Sequence, residues 1–432
     1  MSAAPGRPQA SSHRSAQHEG TPVTGPHGTR HAPSRREALA ALGLGLASPL
    51  LAHAGPTPDP AWPRIETLAR GQTVYFNAWA GSEHINRYLQ WAAGELAKGH
   101  GVKLVHVKIA DTSEAVKRVR SEKAAGKLTG GTVDLIWING ENFFTMKREG
   151  LLFGPFARKL PNFAWVDVVG KPTTLIDFSE PVQGMEAPWG MAQFTFFADR
   201  QSVPDAPRSS QALLAFARAH PGRVTYPRLP DFVGTTFVKQ TLLDANTDRA
   251  PLYQPVTPGA LARVGAPLWA YLDALHPQLW RAGRQFPQNA AAVRQMMADG
   301  ELLLGLTFNP NDAANEIAAG RLATSVYSYQ YDSGTIANTH FLAIPFNATA
   351  TAGAQVAANF LLSPQAQARK ADITQWGDPT VLAMNRLPAN ERALFTAHPQ
   401  PGQVDHVRPA LPEPHASWVE PLTREWLRRY GQ

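Results

Sequence analysis

The chain has 432 residues, with 41 basic and 34 acidic side chains, a formal charge of +7 and no cysteine. Without cysteine, thiol catalysis, disulfides, cysteine metal centres and a lipid anchor at the cleavage point are all excluded. The positive balance is mild and scattered, lacking the basic stripe or module of a nucleic-acid binder.

Residues 1–33 are rich in Ser, Pro, Gly and His without periodicity and read as a disordered extension. Ser34-Arg35-Arg36-Glu37-Ala38-Leu39 is a twin-arginine pattern. It leads into the apolar run 38–51 and ends at Ala52-His53-Ala54, an A-x-A cleavage site. The run is too short for a stable membrane span. Residues 34–54 therefore read as a twin-arginine-type signal peptide cleaved near Ala54, and the mature chain is expected in the periplasm. Removing five arginines and two glutamates leaves 36 basic against 32 acidic side chains. About 378 residues remain, enough for two lobes with real cores. No later run reaches the ~18 apolar residues of a membrane helix, so direct membrane insertion is not expected.

The mature chain opens with a buried-type strand at 74–79 and a helix carrying Ile85, Leu89, Ala92 and Leu96 at helical spacing. Val105, Val107 and Ile109 alternate with polar residues, as in a strand with one wetter face. Asp111 and Glu114 have the spacing of a reciprocal helix cap. A third strand follows at 133–138 and a short helix at 143–149. This β-α-β-α-β-α order predicts a parallel sheet covered by helices. The middle is less regular: strands at 194–198, 223–226 and 302–307, and helices at 209–219, 260–275 and 290–299. Late in the chain, 340–344 reads as a strand and 352–362 as a helix. Trp418, Leu422, Trp426 and Tyr430 at i+4 spacing make the docking stripe of a final helix.

Ligands bind beyond the carboxyl ends of strands in open parallel sheets. That rule selects four loops: 79–83 after the first strand, 139–142 after the third, 231–235 following Tyr226, and 308–311. Helix N-termini behind such loops offer free N–H groups to a polar ligand. The candidate contacts are Trp79, Ser82, Asn139, Glu141, Asn142, Trp189, Tyr226, Asp231 and Asn309. Trp79 and Tyr226 would be aromatic walls and Asn139, Asn142 and Asn309 hydrogen-bonding groups. Glu141 and Asp231 would be counter-charges, a combination suited to an organic cation. Taken singly, the Asn, Asp and Ser residues read more readily as caps and turn residues, and the case rests on four loops of one kind; Trp137 reads as core, and Trp189 stands where the chain could cross between lobes. No G-x-S-x-G elbow, H-E-x-x-H helix or phosphate loop occurs, so no catalytic residue, metal site or cofactor is expected.

Several blocks carry a family likeness: Val74-Tyr75-Phe76-Asn77-Ala78-Trp79, Gly130 to Phe143, Thr225-Tyr226-Pro227-Arg228, Leu306-Thr307-Phe308-Asn309-Pro310 and Trp376-Gly377-Asp378-Pro379. In these the chain resembles the solute-binding components of ABC importers, of the YnjB type. They belong to a two-lobed class with thiamine-, polyamine- and ferric-ion-binding proteins. The resemblance implies a class II periplasmic-binding-protein-like α/β fold, with hinge strands and a ligand cleft between lobes. It divides the chain into lobe one at 55–190, lobe two at 191–310, and a return segment at 311–432 that completes lobe one with C-terminal helices. It implies a monomeric receptor that closes on a small molecule, an organic cation before a metal ion or oxyanion, and delivers it to a permease driven by separate ATPase subunits. An exported enzyme acting on a small ester or carbohydrate, and a ligand sensor, are the alternatives.

Overall fold

The computed structural model describes residues 61–395, 400–404 and 408–431. The extension at 1–33 and the signal at 34–54 lie outside them.

The described chain opens with α1 (Trp62–Ala69), β1 (Thr73–Trp79), α2 (Glu83–His100), β2 (Lys103–Ile109), α3 (Thr112–Ala124), β3 (Leu135–Ile138) and α4 (Glu141–Arg148). Local chemistry sets the ends. Asp111 and Glu114 form the reciprocal cap of α3. Gly101, at φ 65°, stops α2 with its N–H on the Ala97 carbonyl. A small hairpin, β4 (Ile176–Asp177) and β5 (Glu180–Pro181), precedes β6 (Glu186–Gln193). Then come β7 (Thr195–Asp199), α5 (Ser210–Ala219), α6 (Phe232–Asp244), α7 (Pro258–Leu275), α8 (Ala290–Ala298), β8 (Leu304–Thr307), α9 (Asp312–Ala318) and β9 (Val326–Tyr329). The chain continues through β10 (Thr335–Ala343), α10 (Thr351–Leu361), α11 (Pro364–Ala371), α12 (Ala389–Arg392), β11 (Ala410–Leu411) and α13 (Val419–Tyr430).

Two separate cores define two lobes. Lobe one is built on the sheet β2-β1-β3-β10-β6. Its first three strands are parallel, with Thr73 opposite Lys103 and Phe76 opposite Leu135. β10 runs antiparallel to both β3 and β6. Phe76, Leu89, Trp189, Leu342 and Phe360 fill one face, and Val119, Ile136 and Phe143 the other. Lobe two has the three-stranded antiparallel sheet β8-β7-β9, packed around Phe196, Tyr226, Leu242 and Leu272.

The crossings lie a few residues beyond the first cut point and some twenty beyond the second. β6 stays in the sheet of lobe one to Gln193, and β7 enters lobe two at Thr195. β9 pairs with β7, so lobe two runs past residue 310, and the chain returns along β10. The C-terminal helix does not complete lobe one. Trp418, Leu422 and Trp426 of α13 are buried in the core of lobe two, where the Trp426 indole donates to the Tyr226 hydroxyl at 2.7 Å. The expected strand at 223–226 is an extended segment without a ladder: the Arg223 and Val224 carbonyls accept from Leu303 and Trp280 instead.

Candidate functional site

The carboxyl ends of β1, β2 and β3 lie side by side, so the loops they feed share one edge of lobe one. The Trp79 indole folds over Gly81, where a side chain would strike the ring, and remains 38% exposed. The Asn86 amide donates to the Ala80 carbonyl at 3.0 Å and fixes this loop. Ser82 precedes α2, and its hydroxyl makes no capping bond. Asn139, Glu141 and Asn142 are partly exposed at the β3–α4 turn. Gly140 holds φ 62° there, and its N–H donates to the buried Asp177 carboxylate at 2.6 Å. A Cβ at Gly140 would collide with the Phe178 ring, so glycine lets the hairpin close on the turn.

Lobe two contributes the N-terminus of α6 and the β8–α9 loop. Asp231 caps α6, its Oδ1 accepting from the N–H groups of Val233 and Gly234 at 2.9 and 3.0 Å. Burial nevertheless pushes its carboxyl up to about 6, against those two hydrogen bonds, with Asp111 of lobe one adding like charge. Glu141 is raised by burial too, opposed mainly by Lys239, with Asp111 and Glu413 working the same way as burial. The carboxylates of the two lobes thus lie within one another's fields. Among the described residues neither Glu141 nor Asp231 makes an ion pair.

Three of the candidates are committed elsewhere. Tyr226 is 1% exposed, stacked on Phe237 at 4.3 Å, with its hydroxyl 2.8 Å from His276 Nε2. Burial leaves it no face for a ligand, so it is a core residue of lobe two and not a cleft wall. Trp189 is fully buried beneath Trp137 and Trp376, with ring centroids at 5.2 and 5.3 Å. The Asn309 amide donates to the Trp376 carbonyl at 3.4 Å, and its oxygen accepts from Asn311 N–H at 3.0 Å. Trp79 and Ser82 follow β1 and Asn139, Glu141 and Asn142 follow the neighbouring β3, while Asp231 of lobe two feels the charge of Asp111.

Three further residues stand beside these loops. Asp111 was legible only as a helix cap. Trp137, half-buried before Asn139, faces the His340 and Trp376 rings at 5.1 and 5.6 Å. Lys239 sits within α6, its ammonium 2.6 Å from Glu413 Oε2 and 4.1 Å from the centroid of the Phe178 ring. The Asn338 amide donates to the other Glu413 oxygen at 2.9 Å.

Two lobes with separate cores are joined by crossing strands, and the chain belongs to the bacterial extracellular solute-binding proteins, whose family model matches residues 91–393. It is 50% identical over 371 residues to Protein YnjB of Escherichia coli (strain K12), spanning 86% of this chain and 94% of that one. The fold is that of two-lobed periplasmic binding proteins. The spermidine/putrescine ABC transporter substrate-binding protein PotD of Streptococcus pneumoniae superimposes with a TM-score of 0.55 at 12% identity, covering 84% of this chain and 100% of that one. AfuA of Actinobacillus pleuropneumoniae, with fructose-6-phosphate bound, gives 0.58 at 14% identity, covering 83% and 99%.

Proposed function

We propose that this solute-binding protein of the ABC-importer class captures a small organic cation, of the polyamine or thiamine kind, between its lobes. The observation that carries this reading is the pair Glu141 and Asp231, one from each lobe. Both carboxyls are raised by burial, and neither forms an ion pair among the described residues, Lys239 acting on Glu141 only from a distance. A bound ammonium relieves both at once, and the half-exposed indole of Trp79 offers it a π face. Contacts from both lobes exist only in the closed form, so ligand favours closure. Residues Ser82, Asn139 and Asn142 supply hydrogen bonds around the charge. The loaded form then docks, outside the cytoplasm, on a permease with its own ATPase subunits.

A thermal-shift panel of spermidine, putrescine, thiamine, fructose 6-phosphate, inorganic phosphate and neutral sugars tests the ligand class. A ligand at a hundred times its Kd stabilises by about 2.7 kcal/mol. Cations are expected to raise Tm and the others to leave it unchanged. A shift confined to phosphates or sugars overturns the cation reading.

A further inference from the structure

The crossing strands β6 and β10 lie between two lateral contacts that join the lobes. On the β6 side, three asparagines of lobe two reach a single turn of lobe one. Asn311 Nδ2 donates to the Gly377 carbonyl at 2.5 Å and Asn315 Nδ2 to the Trp376 carbonyl at 2.6 Å. Asn309 adds a longer bond to the same Trp376 oxygen. Gly377 has φ 78°, and a Cβ there would strike the Cβ of Asn311, so the two segments touch with no space between. The Gln403 amide donates to Asn311 Oδ1 at 3.4 Å and orients the amide toward the turn.

The turn rests on a rigid base. The buried Lys370 ammonium is ion-paired with Asp378, which is also 3.1 Å from His340 Nε2. Asp378 N–H donates to the Lys370 carbonyl at 3.0 Å. Gly190 of β6 leaves the space for all three side chains, since a Cβ would meet each of them. The Trp376 ring stacks on His340 and packs on Trp137 and Trp189. The turn therefore cannot follow lobe two if lobe two moves; the asparagine contacts must break.

We propose that Asn311 and Asn315 are positioning residues that latch lobe two onto the Trp376–Asp378 turn and set the angle between the lobes, whatever the cleft holds. Neutral amide–carbonyl bonds suit this role, because water replaces them at small cost when the lobes part. On the β10 side, the buried Lys239–Glu413 pair packs on the lobe-one hairpin, with Lys239 4.1 Å from the Phe178 ring centroid and the Glu413 carbonyl accepting from the Ser179 hydroxyl at 2.8 Å, and it serves as the fixed side of the movement.

The test uses ligand-free protein, so its failure is separate from failure of the cation reading. The chain has no cysteine, so Lys117→Cys in lobe one and Arg263→Cys in lobe two place two spin labels without competition. Electron-electron double resonance then reads the distance between lobes. Asn311→Ala and Asn315→Ala together are expected to lengthen the mean distance and broaden its distribution. Asn311→Gln, which keeps an amide, should restore much of the wild-type distribution relative to Asn311→Ala. Where the double variant does not fold, Asn311→Ala alone, at a partly exposed position, carries the test. An unchanged distribution in the folded variant overturns the proposal.

Discussion

The two flanks of the crossing strands join the same lobes by opposite means. On the β6 side the contact is neutral: asparagine amides on the carbonyls of a glycine turn. On the β10 side it is dry and built on charge: the ion pair of Lys239 and Glu413, 1% and 2% exposed, is held against Phe178 and Ser179 of lobe one. A dry ion pair has little tolerance for displacement, because a separated charge inside protein is costly. Amide–carbonyl bonds trade with water and tolerate it. The contrast assigns rigidity to one flank and movement to the other.

The strongest way to break that contrast is Lys239→Met, which strands Glu413. A loss of about 3–5 kcal/mol in urea unfolding is expected. Adding Glu413→Leu should recover most of it, since the unpaired charge is gone. Next comes Gly190→Ala, which forces a methyl group against Lys370, His340 and Asp378. Overpacking of this kind costs about 1–3 kcal/mol and should lower Tm. Asn311→Ala should cost only about 1 kcal/mol in the same assay. Were it to cost as much as Lys239→Met, the flanks would not differ in kind.

The finest probe is pH. Asp231 has its carboxyl raised to about 6 in the folded protein, from an unfolded value near 3.8. The folded state thus holds a proton that the unfolded state has released between those values. The group's contribution to stability is full below about pH 4 and is lost as pH rises to about 6. Asp231→Asn keeps a capping oxygen and should flatten that part of the stability profile. Under the cation reading, spermidine binding releases this proton, so its affinity should rise through the same window in wild type and not in Asp231→Asn. Calorimetry in buffers of different ionisation enthalpy checks the proton count.

What the sequence revealed follows burial geometry. Helices α2, α3 and α13 each have one wet face, so their apolar stripes were plain, and the loops picked by the carboxyl-end rule do follow β1 and β3. α6 went unread because Gly234 through Leu243 are buried without interruption, leaving no periodicity to see. Tyr226 was misplaced for a related reason. It stands at the end of an extended segment before a polar turn, where a strand would aim it at the cleft, but no ladder forms and the ring turns into the core of lobe two. Lys239 gave no signal as part of the seam, since its partner Glu413 is 174 residues away in the chain. The Asp378–Lys370 pair is local in sequence, but its role depends on β6 and β10 passing over it.

The helix α13 has a consequence for folding. Trp418, Leu422 and Trp426 occupy the core that residues 194–243 begin to form. Until α13 docks, that core lacks one wall, and apolar surface stays open behind it. Lobe two is therefore complete only once α13 has docked, which makes the interval before docking the time when a chaperone has most to protect.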